Sequence, residues 1–245
     1  MTLGMPRRKG AYGVDAPYLL VLPILVIAFY IVDGFITRKP WPFLAALLIV
    51  GCCSLGFYAS RRGKFVVWAE LLRDLQLRGD ERVLDLGCGR GAVLLVAAQH
   101  LTTGRAIGVD LWRKADQWGN AVEATRNNAV AEGVADRVEL YTANMTALPF
   151  PDNNFDLVLS NIAIHNLRGI VARNKALEEA VRVLRPGARL MIADLRGTRQ
   201  YRKHLIELGM SGVARRSLGW RLWWSGPWVA TQLVTAMKPA VAEQP

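Results

Sequence analysis

The chain has 245 residues, room for one α/β domain with a buried core and an attachment, and crowded for two large domains. Hydrophobic residues make up 52%, above the usual share, and the excess lies before residue 60. The net charge of +11 divides into +6 over residues 1–64 and +5 over the remainder; no basic run interleaved with aromatics accompanies it, so contact with anionic lipid headgroups explains the charge more economically than a nucleic-acid groove.

The first elements in chain order are two apolar segments, "YLLVLPILVIAFYIVDGFI" (18–36) and "WPFLAALLIVGCCSLGFYA" (41–59), whose only charged side chain is Asp33. Each is long enough to cross a hydrocarbon core of ~30 Å as a helix. The short connector "TRKP" predicts a transmembrane hairpin. Arg7, Arg8 and Lys9 precede it and Arg61, Arg62 and Lys64 follow it, while the connector holds only Arg38 and Lys39. By the positive-inside rule both outer flanks are cytoplasmic, which makes the chain an integral protein of the cytoplasmic membrane. Pro23 predicts a kink in the first span, and Asp33 sits near its far end, where a charge costs less than at the centre. The alternative is a pair of buried core helices. A cleaved signal peptide fits less well, because a second span follows at once with no small-residue cleavage pattern between them.

From Phe65 the pattern alternates. "FVVWAELLRDLQL" has helical spacing, "RVLDLG" reads as a strand, "GAVLLVAAQHL" as a buried helix, "RAIGVDL" as a strand, and "NAVEATRNNAVAEG" as a helix closed by Gly133. "RVELYTAN" and "FDLVLSNI" read as strands, "KALEEAVRVL" as a helix and "ARLMIADL" as a further strand. This rhythm implies a parallel sheet wrapped by helices on both faces, with ligands at the carboxyl ends of the strands. That rule places residues 85–91, Asp110, Asn144 and Asn161 along one rim. Cys52 and Cys53 fall within the second span and Cys88 within the glycine turn, so there is no disulfide framework or zinc spacing. His100, His165 and His204 are too scattered to suggest a metal.

The glycine turn Gly87-Cys88-Gly89-Arg90-Gly91-Ala92 satisfies both the dinucleotide pattern G-x-G-x-x-A and a G-x-G-x-G pattern, and Asp110 follows at about the ~20-residue offset of a ribose-binding acid. Three features separate the readings. Asp85 stands two residues before the first glycine, where a nicotinamide-binding strand keeps a small apolar residue; an acid there is aimed at a cationic or amine-bearing ligand. "ANMTALPFPDNNFDLVLSNIAIHNL" puts a polar residue at a third strand end, then a Leu-Pro-Phe turn and a fourth strand. "VLRPGARLMIAD" couples a helix end through Pro186-Gly187 to a fifth strand.

In these motifs residues 65–238 resemble the class I S-adenosylmethionine-dependent methyltransferases, especially the branch acting on small molecules and quinones. The resemblance implies an α/β, Rossmann-like seven-stranded sheet in the order 3-2-1-4-5-7-6 with the last strand antiparallel, here preceded by two transmembrane helices and followed by a disordered tail over 239–245. "VARRSLG" and "WVATQLVTAMK" supply its last two strands. S-adenosyl-L-methionine is the implied cofactor. Gly87, Gly89 and Gly91 then approach its methionine and ribose, Asp85 supports the amine, Asp110 with Leu111 beside it meets the ribose, Asn144 and Met145 flank the adenine, and Asn161 closes the pocket. Asn144 stands where this branch usually has aspartate, which removes charge assistance from the adenine contact. Ala188 replaces the second glycine usual after Pro-Gly. Cys88 reads as a packed spacer of the turn.

Methyl transfer mainly requires that the acceptor be held in line and water excluded, and a base only if the acceptor arrives protonated. His165, four residues after Asn161, is the candidate base; the alternative is that it packs or caps the following helix. Asn120 is expected to cap the next helix, while Asp116 and Gln117 in the same loop are open to contact with acceptor or adenine. Trp220, Trp223, Trp224 and Trp228, with Arg221, suit either an interfacial surface or a packed core. Together these readings predict a membrane-anchored methyltransferase with a lipophilic small molecule or lipid as acceptor, the acceptor atom being open among oxygen, carbon, nitrogen and sulfur. A non-catalytic membrane scaffold and an NAD-dependent oxidoreductase are the rival readings.

Overall fold

A computed structural model describes residues 8–13, 15, 21–113 and 119–240. Asp116 and Gln117, residues 18–20 of the first predicted span and 241–245 of the predicted tail lie outside these. The apolar segments form α1 (Val21–Thr37) and α2 (Trp41–Tyr58), which pack side by side as a hairpin through edge-to-face pairs, Phe35 on Phe43 and Tyr30 on Trp41. Their large apolar side chains point outward: Phe29 is 65% exposed, Phe35 73% and Leu47 67%. They are therefore not core helices of the domain. Pro23, expected to kink the first span, lies near the start of the described part of α1, and the residues before Val21 lie outside the described ones.

The second apolar segment does not end at residue 59. It continues through a π-helical turn (Ala59–Gly63) into α3 (Lys64–Asp74), giving one 34-residue helix from Trp41 to Asp74. Among the described residues this is the one helix long and apolar enough to cross a membrane. The boundary between attachment and domain, placed by composition at 64/65, falls inside it.

The domain alternates as its periodicity predicts: β1 (Arg82–Leu86), α4 (Ala92–Ala98), β2 (Arg105–Asp110), α5 (Val122–Glu132), β3 (Val138–Thr142), β4 (Phe155–Asn161), α6 (Gly169–Val183), β5 (Leu184–Asp194), α7 (Thr198–Glu207), β6 (Ser211–Ser217) and β7 (Gln232–Met237). The sheet order is β3-β2-β1-β4-β5-β7-β6, with β7 antiparallel to both neighbours and the pairs from β3 to β5 parallel. A dinucleotide-binding sheet runs 3-2-1-4-5-6, so the nicotinamide reading loses its fold. Alternate strand residues face opposite ways. Val83, Leu157, Leu159 and Met191 pack toward α3 and α4, whereas Leu84, Val158, Leu190 and Ile192 pack toward α6 and α7.

β5 starts four residues earlier than predicted, at Leu184, because Pro186 and Gly187 form an irregularity within the strand instead of ending a loop. Residues 8–13 lie across α5. The N–H groups of Lys9 and Gly10 and the Tyr12 hydroxyl all donate to Glu132, Ala11 N–H donates to Asn128, and the Tyr12 ring meets Phe65 edge-on.

Candidate active site

The end of β1 turns on three residues with left-handed backbone: Gly87 at φ 73°, Gly89 at 50° and Gly91 at 82°, a region in which side chains are strained. Two of them also lack room. A Cβ on Gly87 would collide with the Cβ of Ala163, and one on Gly91 would lie 2.9 Å from the Thr125 methyl. α5 braces the loop from behind, Thr125 Oγ1 donating to Gly89 O (2.6 Å) and Asn128 Nδ2 to Arg90 O (2.9 Å). Cys88 is buried with its Sγ beside Gly108, and burial pushes its thiol well above the ordinary range. A thiol so held is not ionised and is a poor nucleophile.

Asp85 is 1% exposed, and its Oδ1 has no hydrogen-bond partner although it lines the cleft at the strand ends. Burial raises its carboxyl to about 7; a backbone hydrogen bond at Leu94 opposes the rise and the Asp110 carboxylate adds to it. An orphaned buried acceptor is costly, and a cationic amine placed in the cleft would satisfy it. Asp110 is clamped: Oδ2 accepts from Gly89 N–H (2.9 Å), Oδ1 from Trp112 N–H (2.6 Å) and Asn120 Nδ2 (3.3 Å). Its oxygens keep lone pairs for hydroxyl donors. Asn120 is thus not the cap of α5, a position taken by Ala121. It is buried beneath Asp110, which it orients, and an acid-binding amide has no signature in sequence spacing.

Leu111, Asn144, Met145 and Asn161 line the same cleft of about 1120 Å³ as Asp85, Gly87, Cys88, Gly89 and Asp110, whereas Leu86 and Gly91 of the predicted rim do not line it. Asn144 Oδ1 accepts from Thr146 N–H in a local turn (3.0 Å). Asn161 Oδ1 accepts from the indole of buried Trp68 on α3 (2.8 Å). The next residue, Ile162, is β-branched yet sits at φ 53°, held by its N–H on Ala193 O (2.8 Å). Such strain is found where a site requires it; here it turns the chain so that Asn161, Ala163 and His165 all reach the cleft.

His165 Nδ1 lies 2.5 Å from Asp194 Oδ1, and its own N–H donates to Asp194 Oδ2 (3.0 Å). Asp194, fully buried at the end of β5, also accepts from Leu195 N–H and the Tyr201 hydroxyl. Arg173 of α6 ties down the turn from outside by donating to the carbonyls of His165 and Leu167. This fixes Nδ1 toward the acid and leaves Nε2 as the second ring nitrogen. Asp194 escapes a sequence reading because it lies 29 residues away at another strand end. His100 and His204 do not line the cleft.

The tryptophan stretch also reaches this region. The loop between β6 and β7 packs on the long helix: Arg221 forms a double hydrogen bond with Glu70 (2.7 Å each), Trp220 stacks on Tyr58, and Trp224 and Trp228 line the cleft. Glu70 is held below the usual carboxylate range by Arg221. Trp220 and Trp228 remain 55% and 70% exposed. Among the described residues no cluster of side chains could hold a metal.

The strand order β3-β2-β1-β4-β5-β7-β6, with Asp85 and Asp110 at the strand ends, is the arrangement that the resemblance to class I methyltransferases implies. Residues 84–192 match the family model of a methyltransferase domain. The chain is 34% identical over 134 residues to the demethylmenaquinone methyltransferase of Symbiobacterium thermophilum, covering 54% of this chain and 50% of that one. It is 34% identical over 129 residues to the ubiquinone/menaquinone biosynthesis C-methyltransferase UbiE of Roseobacter denitrificans, covering 52% and 48%. The fold matches a SAM-dependent methyltransferase from Aquifex aeolicus with a TM-score of 0.55 at 22% identity, covering 69% of this chain and 88% of that one. The chain spans about half the length of the curated relatives it matches. The residues of the cleft suit S-adenosylmethionine: a buried carboxylate oxygen without a partner for the amine, a glycine turn with left-handed backbone, and an oriented acid for the ribose.

Proposed function

We propose that this protein is a membrane-anchored enzyme that methylates a small lipophilic acceptor, with His165 as general base. Anchoring is supported by the outward-facing apolar side chains of α1 and α2 and by the Arg and Trp residues at the domain end of α2, which suit an interface with lipid headgroups. In this reading the hairpin is embedded and the domain lies on the cytoplasmic side. The observation that carries the acceptor class is that α2 itself forms part of the cleft.

The cofactor, when bound, supplies an electrophilic methyl group. Asp85 and Asp110 bind its amine and ribose, Asn144 and Met145 border its base, and the glycine loop admits it closely. Asp194 holds His165 in the tautomer with Nδ1–H, so that Nε2 accepts a proton from an acceptor hydroxyl or activated carbon. Trp68 keeps Asn161 turned to the cleft, and the tryptophan loop excludes water from the acceptor side. A scaffold with no ligand is disfavoured by the cost of keeping Asp85 Oδ1 buried without a hydrogen-bond partner.

The test is transfer of label from methyl-labelled S-adenosylmethionine into membrane extract. The expected product partitions into organic solvent, and Asp194→Asn and His165→Ala lower its rate by roughly 10²–10⁴ without weakening cofactor binding. A chain that binds the cofactor but labels only water-soluble material would overturn the lipophilic reading; unchanged rates in both variants would remove the base.

A further inference from the structure

The cleft reaches well beyond the glycine turn. At about 1120 Å³ it exceeds the ~300–1,000 Å³ typical of a pocket for a single small molecule, and its far wall is built by the helical attachment. Leu48, Ile49, Cys52, Cys53, Gly56 and Phe57 of α2 line it. These are two i, i+4 rows, 48-52-56 and 49-53-57, and rows of that spacing share one face of a helix. From Leu48 to Phe57 the face runs about 14 Å. Its middle is made of small side chains at Cys52, Cys53 and Gly56, which leaves a trough flanked by larger ones.

Two further observations bear on what it suits. The trough belongs to the same cleft as His165 and as the partnerless Oδ1 of Asp85, so an occupant would be joined to the reacting centre. At its domain end the tryptophan loop presses on the helix: a Cβ on Gly56 would collide with the Trp224 carbonyl oxygen. The α2 face offers no charged side chain and no hydroxyl, only alkyl, thiol and aromatic groups, and such a wall suits a hydrocarbon chain.

We infer that α2 is the binding wall for the apolar tail of an amphiphilic acceptor, whose polar head sits at His165 while its linear tail runs along the trough toward the bilayer. This rests on the methyltransferase reading above. It assigns part of acceptor selection to a helix outside the methyltransferase domain, and it makes tail length a determinant of recognition.

The full chain in phosphatidylcholine nanodiscs is exposed to an alkyl hydroquinone carrying a diazirine near the end of its tail, and labelled residues are mapped after photolysis. Binding of S-adenosylhomocysteine is measured calorimetrically on the same preparation. The expected result is labelling at Ile49, Cys52 and Cys53 that is lost when the unlabelled tailed compound is in excess and is untouched by tail-less hydroquinone, while labelling of lipid-facing Leu25 on α1 is not competed. Labelling of the two helices that is equal and uncompeted, with S-adenosylhomocysteine bound, overturns the assignment of α2 alone. Failure of the folded protein to bind S-adenosylhomocysteine overturns the methyltransferase reading beneath it.

Discussion

Asp85 concentrates the chemistry of the site in one carboxyl group. An aspartate in an unfolded chain ionises near ~3.9, whereas here burial lifts it to about 7. Between those values the folded chain holds a proton that the unfolded chain has lost, so this residue's contribution to stability falls as pH rises through the window and levels off above it. A cationic amine in the cleft favours the ionised form. Binding of S-adenosylhomocysteine at a pH of about 6 is therefore expected to release up to one proton, read from the dependence of calorimetric heat on the ionisation enthalpy of the buffer. Asp85→Asn should abolish the release and weaken binding roughly ten- to hundredfold, the worth of a charged hydrogen bond; a release that persists in the variant places the proton elsewhere. Asp85, the glycines and Asp110 were legible because their spacing is local. Asn120, Trp68 and Asp194 were not, because each meets its partner only once the loop, helix and strand that carry them are packed at the rim.

The decisive element is the helix from Trp41 to Asp74. Its apolar half faces outward and its other half lies on the sheet, and the π-helical turn between them is where the tryptophan loop docks. That docking depends on absent side chains. A Cβ on Gly63 would collide with the Arg221 carbonyl oxygen, so Gly63→Ala is expected to push the loop away at a cost of about 1–3 kcal/mol, the usual penalty of overpacking. The measurements are a melting temperature lowered by several degrees and faster hydrogen exchange over residues 219–229. Exchange unchanged in that loop would mean that the contact holds nothing in place. Periodicity announced helices on both sides of residue 60; it did not announce that they are one, because the π-helical turn carries no Pro and its single glycine is helical.

At the scale of the molecule, the attachment and the domain do not separate where composition changes. A chain beginning at residue 65 would lose the stack of Tyr58 on Trp220, the buried Lys64–Asp15 ion pair and the edge contact of Tyr12 with Phe65. Such a truncation is expected to melt below the full chain, or to aggregate, while the full chain stays with the membrane pellet in alkaline carbonate. A soluble truncation of undiminished stability would show that the helix contributes nothing to the domain, and release of the full chain by carbonate would refute the anchor.

By itself, the sequence determined the strand and helix rhythm, the glycine turn with its two acids, and the concentration of apolar residues before residue 60. These follow from near neighbours in the chain, through backbone periodicity and the steric freedom of glycine. Only the tertiary structure decided that Asp194 holds His165, that Trp68 holds Asn161 at the rim, that Asn120 supports Asp110 instead of capping a helix, and that α2 and the tryptophan loop enclose one cleft with the glycine turn. Apart from the Asn120–Asp110 pair, which spans a single loop, those are contacts between segments distant in the chain, created when the sheet gathers its strand ends along a single rim, and no local pattern encodes which side chains will meet there.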